Sequence, residues 1–121
     1  MLRSPRELLP DDLLLRLALE QTATAVFIAT AERDRAGPRI VFVNDAFCRA
    51  SGYHADELIG AALWLLHGPA SDRQTLKRLR RTLAAGEAFT GTLVNHHKDG
   101  HPYTVELQIT PLRDSQGAIT H

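Results

Sequence analysis

The sequence predicts an α+β domain in which helices cover an antiparallel sheet. Two runs of alternating apolar and polar residues, 89–97 and 102–113, flank Asp99-Gly100, and this pattern is the strongest short-range signal of a β-hairpin. Two shorter runs rich in apolar and β-branched residues, 24–30 and 39–43, predict two further strands. Leucines at helical spacing within residues 72–85 predict a central helix.

The remaining segments predict further helices and the beginning of a fifth strand. Residues 8–21 predict a first helix, since Pro10 and two aspartates suit its first turn. Asn44 is placed to cap a short helix that follows the second strand, and another short helix is expected around residues 54–60. Residues 119–121 resemble the first part of a strand that the chain does not complete. We expect a truncated segment or a partial gene product.

Composition limits the functional classes. The chain has 121 residues, 44% of them hydrophobic and 23% charged, which is typical of one soluble domain. Fourteen basic residues balance fourteen acidic ones, so charge gives no reason to expect a nucleic acid or a membrane surface as partner. The single cysteine, Cys48, excludes an internal disulfide and fits a reducing compartment. No apolar run approaches a membrane span, and we expect a cytoplasmic location.

The order of these elements, together with the residues that mark it, resembles a PAS domain. The matching segments are residues 40–47, 51–53, 57–60, 98–100, 105–114 and 117–121. The resemblance implies a five-stranded antiparallel sheet, its fifth strand truncated here, with flanking helices around a small-ligand pocket. It also divides the chain into an N-terminal cap or dimerisation helix, residues 1–21, and a PAS sensor domain, residues 22–121.

Within that family the chain is most similar to the light-sensing LOV group, in which a cysteine bonds covalently to flavin. Leu63 stands where that cysteine would be, and Cys48 lies on another predicted helix. Three flavin-contacting residues of that group are also replaced. Ala62 and Val105 each stand where the group has an asparagine, and Trp64 stands where it has an arginine. Asn95 and Arg80 keep flavin-contacting residue types. The resemblance therefore leaves the cofactor undetermined and makes flavin the disfavoured choice.

Asn95, Arg80 and His67 are the candidate ligand-binding residues. Strand alternation places Asn95 on the same face as Phe89 and Leu93, where a buried amide needs hydrogen-bond partners. The alternative is that Asn95 bonds the backbone at the strand end. His67 adjoins a Gly-Pro break, and the alternative for it is a surface histidine at a helix end. Trp64 is interpreted as a core residue rather than a pocket wall.

Metal and catalytic sites find little support in the sequence. Adjacent strand residues point to opposite faces, so His96 and His97 are poorly placed to share an ion. His97 and His101 flank the hairpin turn, but two ligands without a third make a poor metal site. Residues 75–83 contain no histidine for haem. With no phosphate-binding loop or catalytic triad pattern, we expect neither a metal site nor an enzyme.

These observations predict a non-catalytic sensor and dimerisation module of a bacterial signalling protein. The resemblance implies a small ligand or partner and a C-terminal output domain, such as a histidine kinase, a cyclic-dinucleotide enzyme or a transcription regulator. The alternative is a flavin-binding LOV-like photoreceptor domain without cysteinyl-adduct chemistry. Surplus leucine in residues 13–19 predicts a homodimer through the N-terminal helix; the alternative is a monomer whose helix covers its own sheet.

Overall fold

Helices and strands follow one another in the predicted order. The computed structural model describes residues 11–32 and 37–121, and residues 8–10 of the predicted first helix lie outside that range. The elements are α1 (Asp11–Gln21), β1 (Phe27–Ala29), β2 (Ile40–Val43), α2 (Asp45–Ser51), α3 (Ala55–Leu58), a 3₁₀ helix (Leu63–Leu66), α4 (Arg73–Ala84), β3 (Phe89–His96) and β4 (Pro102–Ile109). The predicted α+β class is confirmed.

The strands form two antiparallel pairs, β1 with β2 and β3 with β4. The β3–β4 hairpin runs in unbroken register from the Phe89–Ile109 pair to the His96–Pro102 pair, as the alternation predicts. In its turn Gly100 takes a positive φ of 97°, which glycine tolerates best. After β4, the Leu112 N–H donates to the His121 carbonyl at 2.8 Å, and Arg113 forms an isolated antiparallel bridge with Ile119.

Two strands are shorter than predicted, for reasons visible in their hydrogen bonds. Strand β1 omits residues 24–26 because the Asn44 side chain bonds the Val26 N–H at 2.9 Å and the Thr24 carbonyl at 2.8 Å. A side chain thus replaces a neighbouring strand there. Strand β4 ends at Ile109, which pairs with Phe89, the first residue of β3. Strand β3 therefore provides no partner for residues 110–113.

Two groups of buried residues form the core. One joins β2, α2, α3 and the 3₁₀ helix and consists of Ile40, Val43, Phe47, Leu58, Leu63 and Leu66. The other joins α4 to the hairpin and consists of Leu79, Phe89 and Leu93. Trp64 packs against both groups, as its interpretation as a core residue requires. Among the described residues, no helix has the length and apolar character needed to span a bilayer.

Candidate functional site

A cavity of about 1270 Å³ lies between β1, the 3₁₀ helix, α4 and the hairpin. Its apolar lining includes Leu63, Leu79, Leu83, Val105 and Leu107. The outer edges of β1 and β4, both of which border the cavity, carry no strand partner in the described part of the chain. A largely apolar cavity with a few polar groups is the usual form of a small-ligand site.

All three predicted ligand residues line this one cavity. Asn95 comes from β3, Arg80 from α4, and His67 from the residue after the 3₁₀ helix. Their positions in the sequence are far apart, and the packing of α4 on β3 brings them around a common space. The structure therefore places all three predicted residues around one cavity. Trp64 lies in the same wall as well as against both core groups, so the interpretation of Trp64 as a core residue rather than a pocket wall is wrong about the wall.

Tyr103 faces Asn95 across the hairpin and also lines the cavity. Burial raises the pKa of the Tyr103 hydroxyl, a hydrogen bond with the Asn95 side chain opposes that rise, and Tyr53 adds to it. The hydroxyl is therefore protonated at neutral pH and can donate a hydrogen bond. The sequence analysis missed Tyr103, although the hairpin register predicted from the Asp99-Gly100 turn would have placed it opposite Asn95.

Trp64 holds Arg80 in place at the cavity wall. The Arg80 guanidinium carbon lies 4.9 Å from the Trp64 ring centroid, a distance typical of a cation–π contact. Gly37 makes room for the indole, because a Cβ atom there would lie 2.3 Å from the Trp64 Nε1 atom. Among the described residues that line the cavity, Arg80 is the one lysine or arginine, and an aromatic ring positions it.

His67 presents a neutral imidazole to the cavity. Burial, which has the largest effect, together with the nearby Arg80 cation and His96 lowers its pKa from 6.5 to about 4. The buried Nδ1 atoms of His67 and His96 have no hydrogen-bond partner among the described residues. Buried polar atoms are usually bonded, so the His67 nitrogen is the group in this wall that most lacks a partner.

His96 packs against the loop that follows His67. In the sequence it was considered only as a possible metal ligand. Its Nε2 atom accepts a hydrogen bond from the Ala70 N–H at 3.3 Å. Its ring lies where a Cβ atom on Gly68 would come within 2.8 Å, so glycine is required there. The close packing of His96 under this loop has no local sequence signal.

The residues present do not fit a cysteinyl–flavin adduct. Leu63 is only 6% exposed, belongs to the core and lines the cavity without a thiol. Cys48 lies on α2 and packs on the first core group, and it is not among the described residues that line the cavity. Burial raises the pKa of the Cys48 thiol, Asp45 adds to the rise and Arg49 opposes it. A protonated thiol is a weak nucleophile.

Comparison with known proteins places this architecture in a family. The PAS domain model matches residues 24–121. The chain is 30% identical over 103 residues to a nitrogen fixation regulatory protein of Klebsiella oxytoca, covering 85% of this chain and 20% of that protein. It is 33% identical over 82 residues to a blue-light-activated histidine kinase of Brucella anthropi, covering 68% of this chain and 17% of that protein. The chain thus spans at most 20% of the length of these two relatives.

Two solved structures share the fold. A light-oxygen-voltage domain studied with a flavin analogue is 32% identical, with a TM-score of 0.76 over 88% of this chain and 78% of that chain. An RNA-binding light-oxygen-voltage receptor is 28% identical, with a TM-score of 0.80 over 99% of this chain and 34% of that chain. Because that receptor binds RNA, the expectation that nucleic acid is excluded as a partner is not supported.

The matched range begins before β1 and includes every element from β1 to β4. The helices, the hairpin and the cavity between them agree with the resemblance seen in the sequence. The chain belongs to the PAS domain family and lies close to its light-oxygen-voltage branch.

Proposed function

We propose that this chain is a non-catalytic sensor module that binds a small molecule in the cavity between β1, α4 and the hairpin. The observation that carries the proposal is the mostly apolar cavity, whose wall also holds the polar side chains of Asn95, Arg80 and Tyr103. A bound molecule with a polar edge would satisfy these groups while its remainder contacts leucines. Such a combination provides both affinity and orientation.

We propose that occupancy of the cavity is passed to an output domain in a bacterial signalling protein of the cytoplasm. Two of the relatives are named as a regulator and a histidine kinase, which supports a kinase or a regulator as the output; a cyclic-dinucleotide enzyme is the third class that the family resemblance implies. The free thiol of Cys48 is compatible with a reducing compartment.

A second candidate is a flavin-binding photoreceptor domain that works without a cysteinyl adduct. Asn95 and Arg80, the two retained flavin-contacting types, both line the cavity, and the similarity to light-oxygen-voltage domains supports this alternative. Flavin would supply absorption of blue light. Asn95 and Tyr103 would bond the polar edge of the ring, and Arg80 would lie near a phosphate.

Native mass spectrometry and absorbance spectroscopy test both candidates. We expect the purified protein to retain, or to take up from a metabolite mixture, one small molecule per chain. Asn95→Ala should weaken its binding by about fivefold, since a lost hydrogen bond costs about 1 kcal/mol. If flavin binds, blue light should cause no reversible bleaching of the thiol-adduct type, because Leu63 has no sulfur.

Thr104→Ala is the matched control, since Thr104 is exposed on the opposite face of β4. A protein that retains and takes up no small molecule would contradict the sensor proposal. Bleaching that recovers in the dark and disappears in Cys48→Ser would show that Cys48 reaches the flavin after all.

We also propose that the module forms a parallel homodimer through α1, with the sheet face contributing. Leu13, Leu14 and Leu15 are 40%, 39% and 66% exposed on this helix, while Leu17 is half-buried. The prediction centred the interface on Leu13, Leu14 and Leu17, and Leu15 adds the largest exposed fraction. Burying this surface between two copies would gain about 25 cal/mol per Å² of apolar area.

Sedimentation at micromolar concentration tests the dimer. We expect the native chain to sediment as a dimer and the double variant Leu13→Glu, Leu14→Glu to sediment as a monomer, because charges are costly to bury there. Ile59→Glu is the control, since Ile59 is 45% exposed and lies at the end of α3, outside α1 and the strands. An unchanged mass for the double variant would exclude α1 as the interface, and so would an equal loss in the control.

A further inference from the structure

The turn of the β3–β4 hairpin brings together three side chains that can bind a metal. The ligand atoms of His97, Asp99 and His101 lie within 4.8 Å of one another. One Asp99 carboxylate oxygen lies 3.2 Å from His97 Nδ1 and 2.5 Å from His101 Nδ1. The two imidazole rings stack with centroids 4.4 Å apart. The sequence-based exclusion counted two histidines, and the folded turn supplies Asp99 as the missing third ligand.

Other parts of the fold hold His97 and the turn in position. The His97 ring occupies the space over Gly52, where a Cβ atom would lie 2.1 Å from it. The Lys98 N–H donates to the Ser51 carbonyl at 2.9 Å, and the Lys98 ammonium lies 2.6 Å from a Glu57 carboxylate oxygen. The turn is thus anchored to the end of α2 and to α3. Ligands that are already in place lose less entropy on binding an ion.

We propose that His97, Asp99 and His101 form a binding site for one divalent transition-metal ion such as Zn²⁺. Two imidazoles and a carboxylate form a common donor set for Zn²⁺, and imidazole also suits Cu²⁺ and Ni²⁺. Tetrahedral ligands about 2.0–2.1 Å from zinc are roughly 3.3 Å apart. The 3.2 Å separation of His97 Nδ1 and Asp99 Oδ1 matches this spacing, and the shorter His101 contact would lengthen by roughly 0.8 Å.

Hydrogen bonds within the turn hold the proposed ligands beside one another. The Asp99 carboxylate accepts the His101 backbone N–H at 3.0 Å. His97 Nδ1 accepts the Asp99 N–H at 3.2 Å, so a bound ion would take the place of this N–H at the nitrogen lone pair. The side chains of Asp99 and His101 are 61% and 57% exposed, which leaves the remaining coordination positions open to water.

The site would tie the end of β3 to the beginning of β4. His97 lies two residues beyond Asn95, and His101 lies two residues before Tyr103. A bound ion would therefore stiffen the hairpin next to the pair that lines the cavity. This inference stands independently of the proposed ligand, since the turn cluster shares no residue with the cavity lining.

Titration of the tag-free, chelator-treated full chain with ZnCl₂ tests the site. We expect one Zn²⁺ per chain with a dissociation constant on the order of micromolar. Zn²⁺ at about 100 times that constant should raise the melting temperature by about 5 °C or more. Co²⁺ bound in place of Zn²⁺ should show the visible absorption typical of four-coordinate ligation by nitrogen and oxygen atoms.

Two variants distinguish a metal site from a merely structural turn. Asp99→Asn keeps the oxygen that accepts the His101 N–H but loses the charge, and His101→Gln removes an exposed imidazole. Each should weaken Zn²⁺ binding at least about tenfold while the circular dichroism spectrum is retained. His121→Gln, which removes an exposed histidine elsewhere, should bind as the native chain does. Millimolar affinity in the native chain, or equal affinity in all three variants, would overturn the proposal.

Discussion

Replacing Asn44 with alanine should lower the free energy of unfolding by about 3 kcal/mol, the largest effect we expect from one polar substitution. Asn44 is 1% exposed. Its Oδ1 atom accepts the N–H groups of Val26 at 2.9 Å and Phe47 at 3.0 Å. Its Nδ2 atom donates to the carbonyls of Leu19 at 2.9 Å and Thr24 at 2.8 Å. Alanine would leave all four backbone groups without these bonds.

Chemical denaturation measures this loss, and two further variants show its cause. Asn44→Asp keeps an oxygen that accepts the N–H groups of Val26 and Phe47, but its second oxygen faces two carbonyl oxygens and cannot donate to them. This substitution should therefore lower the free energy of unfolding at least as much as alanine does. Asn95→Ala makes the same chemical change at a half-buried position and should cost about 1 kcal/mol or less. Equal losses for Asn44→Ala and Asn95→Ala would show that the Asn44 bonds do not join α1, β1 and α2 as described.

Stability should decrease as the pH falls from about 6.5 toward about 4, because His67 resists protonation in the folded state. Its pKa is lowered from 6.5 to about 4, chiefly by burial and further by Arg80 and His96. Between these values the unfolded chain binds a proton that the folded chain does not, so the free energy of unfolding decreases as the pH falls. Above pH 6.5 His67 is neutral in both states, and the full stability of the folded chain is present. Since His67 is only half-buried, solvent screening limits the effect to about 2 kcal/mol.

Denaturation curves at several pH values measure this effect, with His67→Phe as the test variant. The variant should lose the decline between pH 6.5 and 4.5, whereas His54→Gln, at an exposed position, should keep it. The lowered carboxyl pKa values of Glu57 and Asp72 remove stability only at lower pH, as those groups take up protons in the unfolded chain. Parallel profiles for the native chain and His67→Phe would contradict the assignment.

Local patterns in the sequence were sufficient for the hairpin, for α4 and for the family. Alternation on both sides of Asp99-Gly100 specifies β3, β4 and their register, because side chains in a strand change face at every residue. Asp72 caps α4 by accepting the Thr75 N–H at 2.9 Å, a contact between near neighbours in the chain. The same alternation placed Asn95 on the cavity face. These features depend on residues close together in sequence.

The contacts that unite the fold depend on residues far apart in sequence, and only the tertiary structure determined them. The sequence predicts Asn44 as a helix cap, yet its bonds also reach Leu19 and Val26, 25 and 18 residues away. The lowered pKa of His67 depends on burial under α4 and on the approach of Arg80. The Asp99 carboxylate lies beside the imidazoles of His97 and His101 because the turn closes. Alternation and capping predict which face or end a residue occupies, whereas the distance between two side chains depends on how the elements pack.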